Sequence, residues 1–289
     1  MEYVYYYYRF LLKIAPICAK IPYENEIMSL INNIENSIQK FDTDIRAVMA
    51  LPSLLSDHVN YVDNQWLKHF FQTAVKPTWS RYEGNRRLGF YYQWLWRQFI
   101  LAHPQYELIA EEVQIYQDKQ TLGAIDFLVR EKQTQQIEHW EVAIKFYLQH
   151  KAQWLGPNAN DQLEKKTARM VSHQLLLTEQ PAYQQQWQTQ FGQPEVKRLI
   201  MQGRLFTSES AQIKAPDINS NCAKGLWCFA EHAPAYLRFF DKSEWLSPPR
   251  YQDLKPQSNH NALTHPTQAI DENNQVWFVM PSYWPNSKP

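Results

Sequence analysis

Two neighbouring segments constrain this chain most: residues 123–129, Gly-Ala-Ile-Asp-Phe-Leu-Val, and residues 140–147, Trp-Glu-Val-Ala-Ile-Lys-Phe-Tyr. Both are apolar and rich in β-branched or aromatic residues, so both read as strands. Each nevertheless carries ionisable side chains that a buried strand excludes unless they have a purpose. Strand side chains alternate between faces. That alternation puts Asp126 with Ala124 and Leu128, opposite Ile125, Phe127 and Val129. It also puts Glu141, Ala143 and Lys145 together, opposite Trp140, Val142, Ile144 and Phe146. If the strands pair, Asp126, Glu141 and Lys145 converge on one side of a sheet. Those groups are the components of a metal-dependent hydrolytic site.

The surrounding pattern supplies a core. Residues 24–41 carry Ile27, Leu30, Ile31, Ile34 and Ile38 at helical spacing. A second helix is expected from about Arg86 to Ala102, with Leu88, Tyr91, Tyr92, Leu95, Trp96, Phe99 and Ile100 on its apolar face and Pro104 beyond its end. Strands are expected at about 106–116, 122–130 and 137–148, the last two joined by a polar turn. After Gly156-Pro157-Asn158, Asp161 with Glu164 reads as a capping box opening a helix to about Leu177, and residues 196–206 read as a further strand. The order is α/β with a mixed sheet. We divide the chain into an N-terminal helical region (1–84), a core (85–210) and a Trp- and Pro-rich C-terminal extension (211–289) packed on it, irregular except for a final strand at 276–280.

Composition narrows the function classes. Lys plus Arg and Asp plus Glu each number 29, so no overall cationic field exists, although a local basic groove remains open. Three cysteines suggest a reducing compartment, and the Cys222–Cys228 spacing suits zinc poorly. The aromatic N-terminus has its positive charges inside the apolar run, unlike a signal peptide, and no stretch approaches a membrane span. The expectation is a cytoplasmic protein without a membrane partner. Residues 84–89 have the glycine spacing of a phosphate loop, but Phe90-Tyr91 stand where Lys-Ser/Thr is needed, and no GxGxxG occurs. No nucleotide cofactor is therefore expected.

The motifs Arg87-Leu88-Gly89-Phe90-Tyr91-Tyr92, residues 121–128, residues 139–148 and residues 154–163 together resemble the PD-(D/E)XK nuclease superfamily. More narrowly, the chain looks like a bacterial domain-of-unknown-function family assigned to that superfamily. The resemblance spans roughly residues 85–180, and the C-terminal Trp and Trp-Pro segments fit it too. It implies a restriction-endonuclease-like αβββαβ core with a mixed central sheet. It further implies nuclease chemistry in which Asp126 and an acid two residues before Lys145 hold Mg²⁺ or Mn²⁺ and Lys145 activates water against phosphate; Glu141, on the same face, is the acid we assign as the second ligand.

This chain departs from the pattern at three positions. Ala143, not an acid, stands two residues before Lys145; Gln93 occupies the helix position where Glu is frequent; and Ala124 stands where Glu often neighbours the strand Asp. Glu141 lies four residues from Lys145, roughly 13 Å between Cα atoms on a regular strand, so a bulge would be needed to bring them to one metal. Gln93 and Glu112 are possible contributors, with Glu111 and Glu164 as other replacement acids. Lys166, Arg169 and His173 fall within about 60° of one another on a helical wheel, and with Arg86 and Arg87 they form the candidate nucleic-acid contacts. Ordinary alternatives stand beside these: a lysine on a half-exposed strand can snorkel, and a cationic stripe can be a solvated helix edge. The runner-up to a nuclease is an inactive nuclease fold that binds nucleic acid or protein; a small-molecule enzyme is a third class.

Overall fold

The computed structural model describes residues 24–208, 217–256 and 263–286. The N-terminal aromatic run considered above lies outside the described residues. Helix α1 (Glu24–Ala50) and the short helix α2 (Asn64–Thr73) precede α3 (Leu88–Ala102). Strands β1 (Tyr106–Gln117), β2 (Gln120–Glu131), β3 (Ile137–His150) and β4 (Gln153–Leu155) follow. Then come α4 (Leu163–Ser172), a 3₁₀ segment (Gln174–Glu179), α5 (Pro181–Gln186), α6 (Gln188–Phe191) and β5 (Val196–Thr207). The C-terminal part adds β6 (Lys224–Phe229), β7 (Arg238–Phe240), β8 (Thr267–Ile270) and β9 (Val276–Met280).

All nine strands join one mixed sheet, ordered β1-β2-β3-β5-β6-β9-β8-β7, with β4 paired to β3. The β1–β2–β3 meander is antiparallel, while β5, β6 and β9 run parallel to their predecessors in that order. The segment after residue 211 was expected to be mostly irregular. Instead its apolar runs continue the sheet, because Gly225–Phe229 and Val276–Met280 can hydrogen-bond beyond β5.

One face of β3 buries Trp140, Val142, Ile144 and Phe146 against Tyr92, Leu95, Trp96 and Phe99 of α3. The other turns Ala143 and Tyr147 toward Leu163 and Met170 of α4. The alternation read for β3 is therefore realised. In β2 it is not: Ile125 packs with Leu128 and Leu177, while Phe127 and Val129 join the α3 side. The face changes at Asp126. Opposite it on β1, Ala110 and Val113 likewise share a cluster, and Glu112 between them adopts φ +51°.

Three further corrections have simple causes. On α1 the apolar stripe is buried only in its C-terminal half: Phe41, Ile45 and Val48 are enclosed, but Leu30 is 61% and Ile34 42% exposed. The helix also runs nine residues past the expected end at 41. Asp161 does not open a capping box; α4 starts at Leu163 behind Gln162, which makes no side-chain cap, because the Asp161 carboxylate is engaged by Lys145. Finally α4 stops at Ser172, where His173 bonds across to the Leu122 carbonyl (3.0 Å) and the chain tightens into the 3₁₀ segment.

Candidate functional site

The β2–β3 ladder runs from Arg130↔Ile137 to Phe127↔Trp140 and ends there. Beyond that rung β2 stays with β1, and β3 stays with β5. The two strands part into a wedge whose apex is Asp126 and Glu141. Backbone groups facing a wedge must find other partners. Asp126 Oδ2 accepts the Val142 N–H at 2.9 Å, and Glu141 Oε1 faces the Asp126 N–H at 3.4 Å. Farther out, the 3₁₀ segment covers the free edge of β2, with Gln174 Nε2 donating to the Ala124 carbonyl at 3.4 Å.

This position raises both acids' proton affinity. Burial pushes the Glu141 carboxyl up to about 8, opposed by the Asp126 N–H, the Gln174 amide and the Lys166 charge. Burial likewise pushes Asp126 well above the usual carboxylate range, with Glu141 adding repulsion and the Val142 N–H and His139 opposing it. Asp126 as a residue retains partial solvent contact, whereas Glu141 is buried. His139 Nε2 lies 2.8 Å from Glu141 Oε1, and burial holds the imidazole neutral by lowering its pKa to about 3.

The cations arrive from two elements. The β3–β5 register is unbroken from Glu138↔Val196 to Leu148↔Phe206, so no bulge draws Lys145 toward Glu141. Lys145 Nζ instead meets Asp161 Oδ2 at 3.0 Å. Lys166 of α4 is half-buried. Burial lowers its proton affinity, Lys145 and Arg169 lower it further, and Asp161 and Glu141 raise it. Arg169 itself is exposed, and His173 is half-buried against Leu122. A close approach fixes Lys145's height on the sheet: Gly203, its partner on β5, has φ +144°, and a Cβ there would sit 1.8 Å from the Lys145 carbonyl oxygen.

Gln93 and Glu112 line one hollow on the α3 side, and the Glu112 charge reaches Asp126. Glu111 is spent on Arg97 (2.7 Å), and Glu164 is exposed. A cleft of about 920 Å³ holds Lys145 and Asp161 together with Arg87, Lys242 and His265. Arg86 lies in the adjoining groove with Arg87. Three participants went unread in the sequence: Asp161 as the partner of Lys145, and His139 and Gln174 around Glu141. Of these, His139 carried a signal, the same-face spacing of two from Glu141.

Two carboxylates at a wedge suit Mg²⁺ or Mn²⁺, which retain several waters and complete their shell with substrate phosphate. They do not form a protein-only cage. Among the described residues no group of three or more His, Cys, Asp or Glu side chains is placed to hold a metal ion. Nor, among those residues, is any helix long and apolar enough to cross a membrane.

The profile of a family described as "Domain of unknown function (DUF1853)" matches residues 30–280, and the chain belongs to that family. No curated protein and no solved structure matches the chain.

Proposed function

We propose that this DUF1853 chain is a divalent-metal-dependent nuclease whose centre is Asp126, Glu141 and Lys166, built on a restriction-endonuclease-like core of the PD-(D/E)XK type. The observation that carries this reading is the wedge. Two acids from neighbouring strands meet where the sheet opens, each aimed at the other strand's backbone, and the charge of a half-buried lysine reaches one of them. The succession α3, β1–β3, α4, β5, with β5 parallel to β3, supports the core assignment.

Each residue then has a distinct task. Asp126 and Glu141 would hold Mg²⁺ or Mn²⁺, which supplies charge neutralisation and a water of lowered pKa. Lys166, whose charge is felt at Glu141, would stabilise negative charge developing on the phosphate. Lys145, held by Asp161 at the cleft floor, binds a neighbouring phosphate instead of touching the attacking water. His139 and Gln174 orient Glu141 and are positioning residues. Burial raises the proton affinity of both acids, Glu141 adds repulsion at Asp126, and a bound cation would relieve both.

A second reading has its own support. Ala143 leaves the rung beside Lys145 without an acid, and one oxygen of each carboxylate is already directed at backbone N–H groups. That arrangement fits a fold that binds nucleic acid or a protein partner without cutting. Incubation with single- and double-stranded DNA and RNA in Mg²⁺ or Mn²⁺ separates the two. The nuclease reading expects cleavage by the wild type and its loss in Asp126→Asn and Lys166→Ala. Binding without cleavage by a folded wild type supports the second reading.

A further inference from the structure

We infer that the aromatic groove between α1, the 79–87 loop and the start of α3 takes a single-stranded segment of nucleic acid. The inference rests on the proposed action on phosphodiesters and names the form of substrate. Bases stack on Tyr82, Tyr91, Trp94 and Trp79, and phosphates lie on Arg86, Arg87 and Lys242.

The groove encloses about 930 Å³. Among the described residues its lining includes five cations, Lys40, Arg81, Arg86, Arg87 and Lys242, and no Asp or Glu. In a chain with equal numbers of acids and bases, that is a strong local excess. Lys40 is committed to Asp44, and Arg81 lies 3.8 Å from Glu83. Arg86 and Arg87 are exposed and carry no ion pair among the described residues, so both are available to an anion.

The rings are partly exposed and already arranged. Tyr91 and Trp94 stack at 5.6 Å with 22° between planes, and Tyr82 stands edge-on to Tyr91 at 5.1 Å. Tyr91 is anchored because its hydroxyl donates to Asp44 at 2.9 Å. Prearranged rings beside unpaired cations are what an unpaired strand requires, since stacking holds a base without reading its identity. A duplex keeps its base faces inside and offers mainly backbone. Continuity supports the same occupant. The groove shares Arg87, Leu88 and Lys242 with the Lys145–Asp161 cleft, and Tyr82, Asn85 and Trp94 with the Gln93–Glu112 hollow. A strand lying in it could run on toward Lys145 on one side and toward Glu112 on the other.

Fluorescence anisotropy in EDTA, where no cutting occurs, tests this with a labelled single strand of about 15 nucleotides and the matching blunt duplex. The wild type should bind the single strand at least about tenfold tighter than the duplex. Tyr82→Ala should weaken single-strand binding about tenfold at unchanged melting temperature, and Tyr82→Phe should restore it. Arg86→Ala/Arg87→Ala should weaken it and flatten its salt dependence. Equal affinity for duplex, or folded groove variants that bind single strands like the wild type, overturns the inference. Cleavage assays in Mn²⁺ distinguish that failure from failure of the nuclease reading. Cutting with indifferent groove variants sinks only the groove; groove-dependent binding by a wild type that never cuts sinks only the chemistry.

Discussion

Asp126 and Glu141 each direct a carboxylate oxygen at the other strand's backbone, Oδ2 to the Val142 N–H at 2.9 Å and Oε1 to the Asp126 N–H at 3.4 Å. Side chains thus close the sheet where main-chain pairing stops. Glu141 is buried, Asp126 is partly so, and the Glu141 charge repels Asp126, which is a structural cost.

That cost depends on pH. The Glu141 carboxyl titrates near 8 in the folded protein, while an unfolded glutamate titrates near about 4.3. Between those values the folded chain keeps a proton that the unfolded chain has released. Stability is therefore fullest below about pH 4.3, as far as this group is concerned, and is lost as pH rises toward 8. The slope approaches about 1.4 kcal/mol per pH unit in metal-free buffer. Denaturant titrations across this range should show the decline, and Glu141→Gln should remove Glu141's share of it, leaving the part due to Asp126. A profile that Glu141→Gln leaves unchanged would contradict this prediction.

Asp126→Asn separates geometry from charge. The amide oxygen can still accept the Val142 N–H, while the repulsion with Glu141 disappears. Metal-free stability should stay level or rise by up to about 2 kcal/mol as cleavage is lost. Asp126→Ala leaves the Val142 N–H without its partner and should cost about 1–3 kcal/mol relative to Asp126→Asn. Urea unfolding of both variants measures the difference.

The two lysines should divide by kinetic parameter. Lys166 acts on Glu141, so Lys166→Ala should lower kcat by about 100-fold or more. It should also move the pH midpoint of the stability decline upward, because the charge that lowers Glu141's proton affinity is gone. Lys145 is tied to Asp161 in the open cleft, so Lys145→Ala should act mainly through KM. Reversed assignments in steady-state kinetics would return the role at the water to Lys145.

Gly203→Ala probes the scaffold. Its Cβ would meet the Lys145 carbonyl oxygen at 1.8 Å, at a backbone conformation that L side chains rarely adopt. A loss of about 2–4 kcal/mol is expected, with Lys145 displaced from Asp161. Thermal unfolding checks the first, and a rise in KM in the surviving folded fraction checks the second.

Much of the scaffold was legible because it rests on periodicity. The α3 face and the alternation in β3 followed directly from apolar spacing, and Trp140, Val142, Ile144 and Phe146 are buried together as read. What failed depends on distant partners. The change of face at Asp126 coincides with the left-handed Glu112 on another strand, which no local pattern in residues 123–129 reveals. Helix α2 passed unnoticed because its ten residues hold only Leu67, Phe70 and Phe71 as buried anchors. Asp161 reads as a helix cap until a lysine 16 residues earlier claims it. Lys166 was singled out for its stripe, but its nearness to Glu141 needed the packing of α4 on the sheet.

Isothermal titration of Mn²⁺ into the metal-free wild type and Asp126→Asn tests the two-acid centre most directly. The account predicts a saturable site in the wild type, proton release on binding near pH 7, and loss of that site in the variant. No binding to the folded wild type, or an identical isotherm from Asp126→Asn, would contradict it.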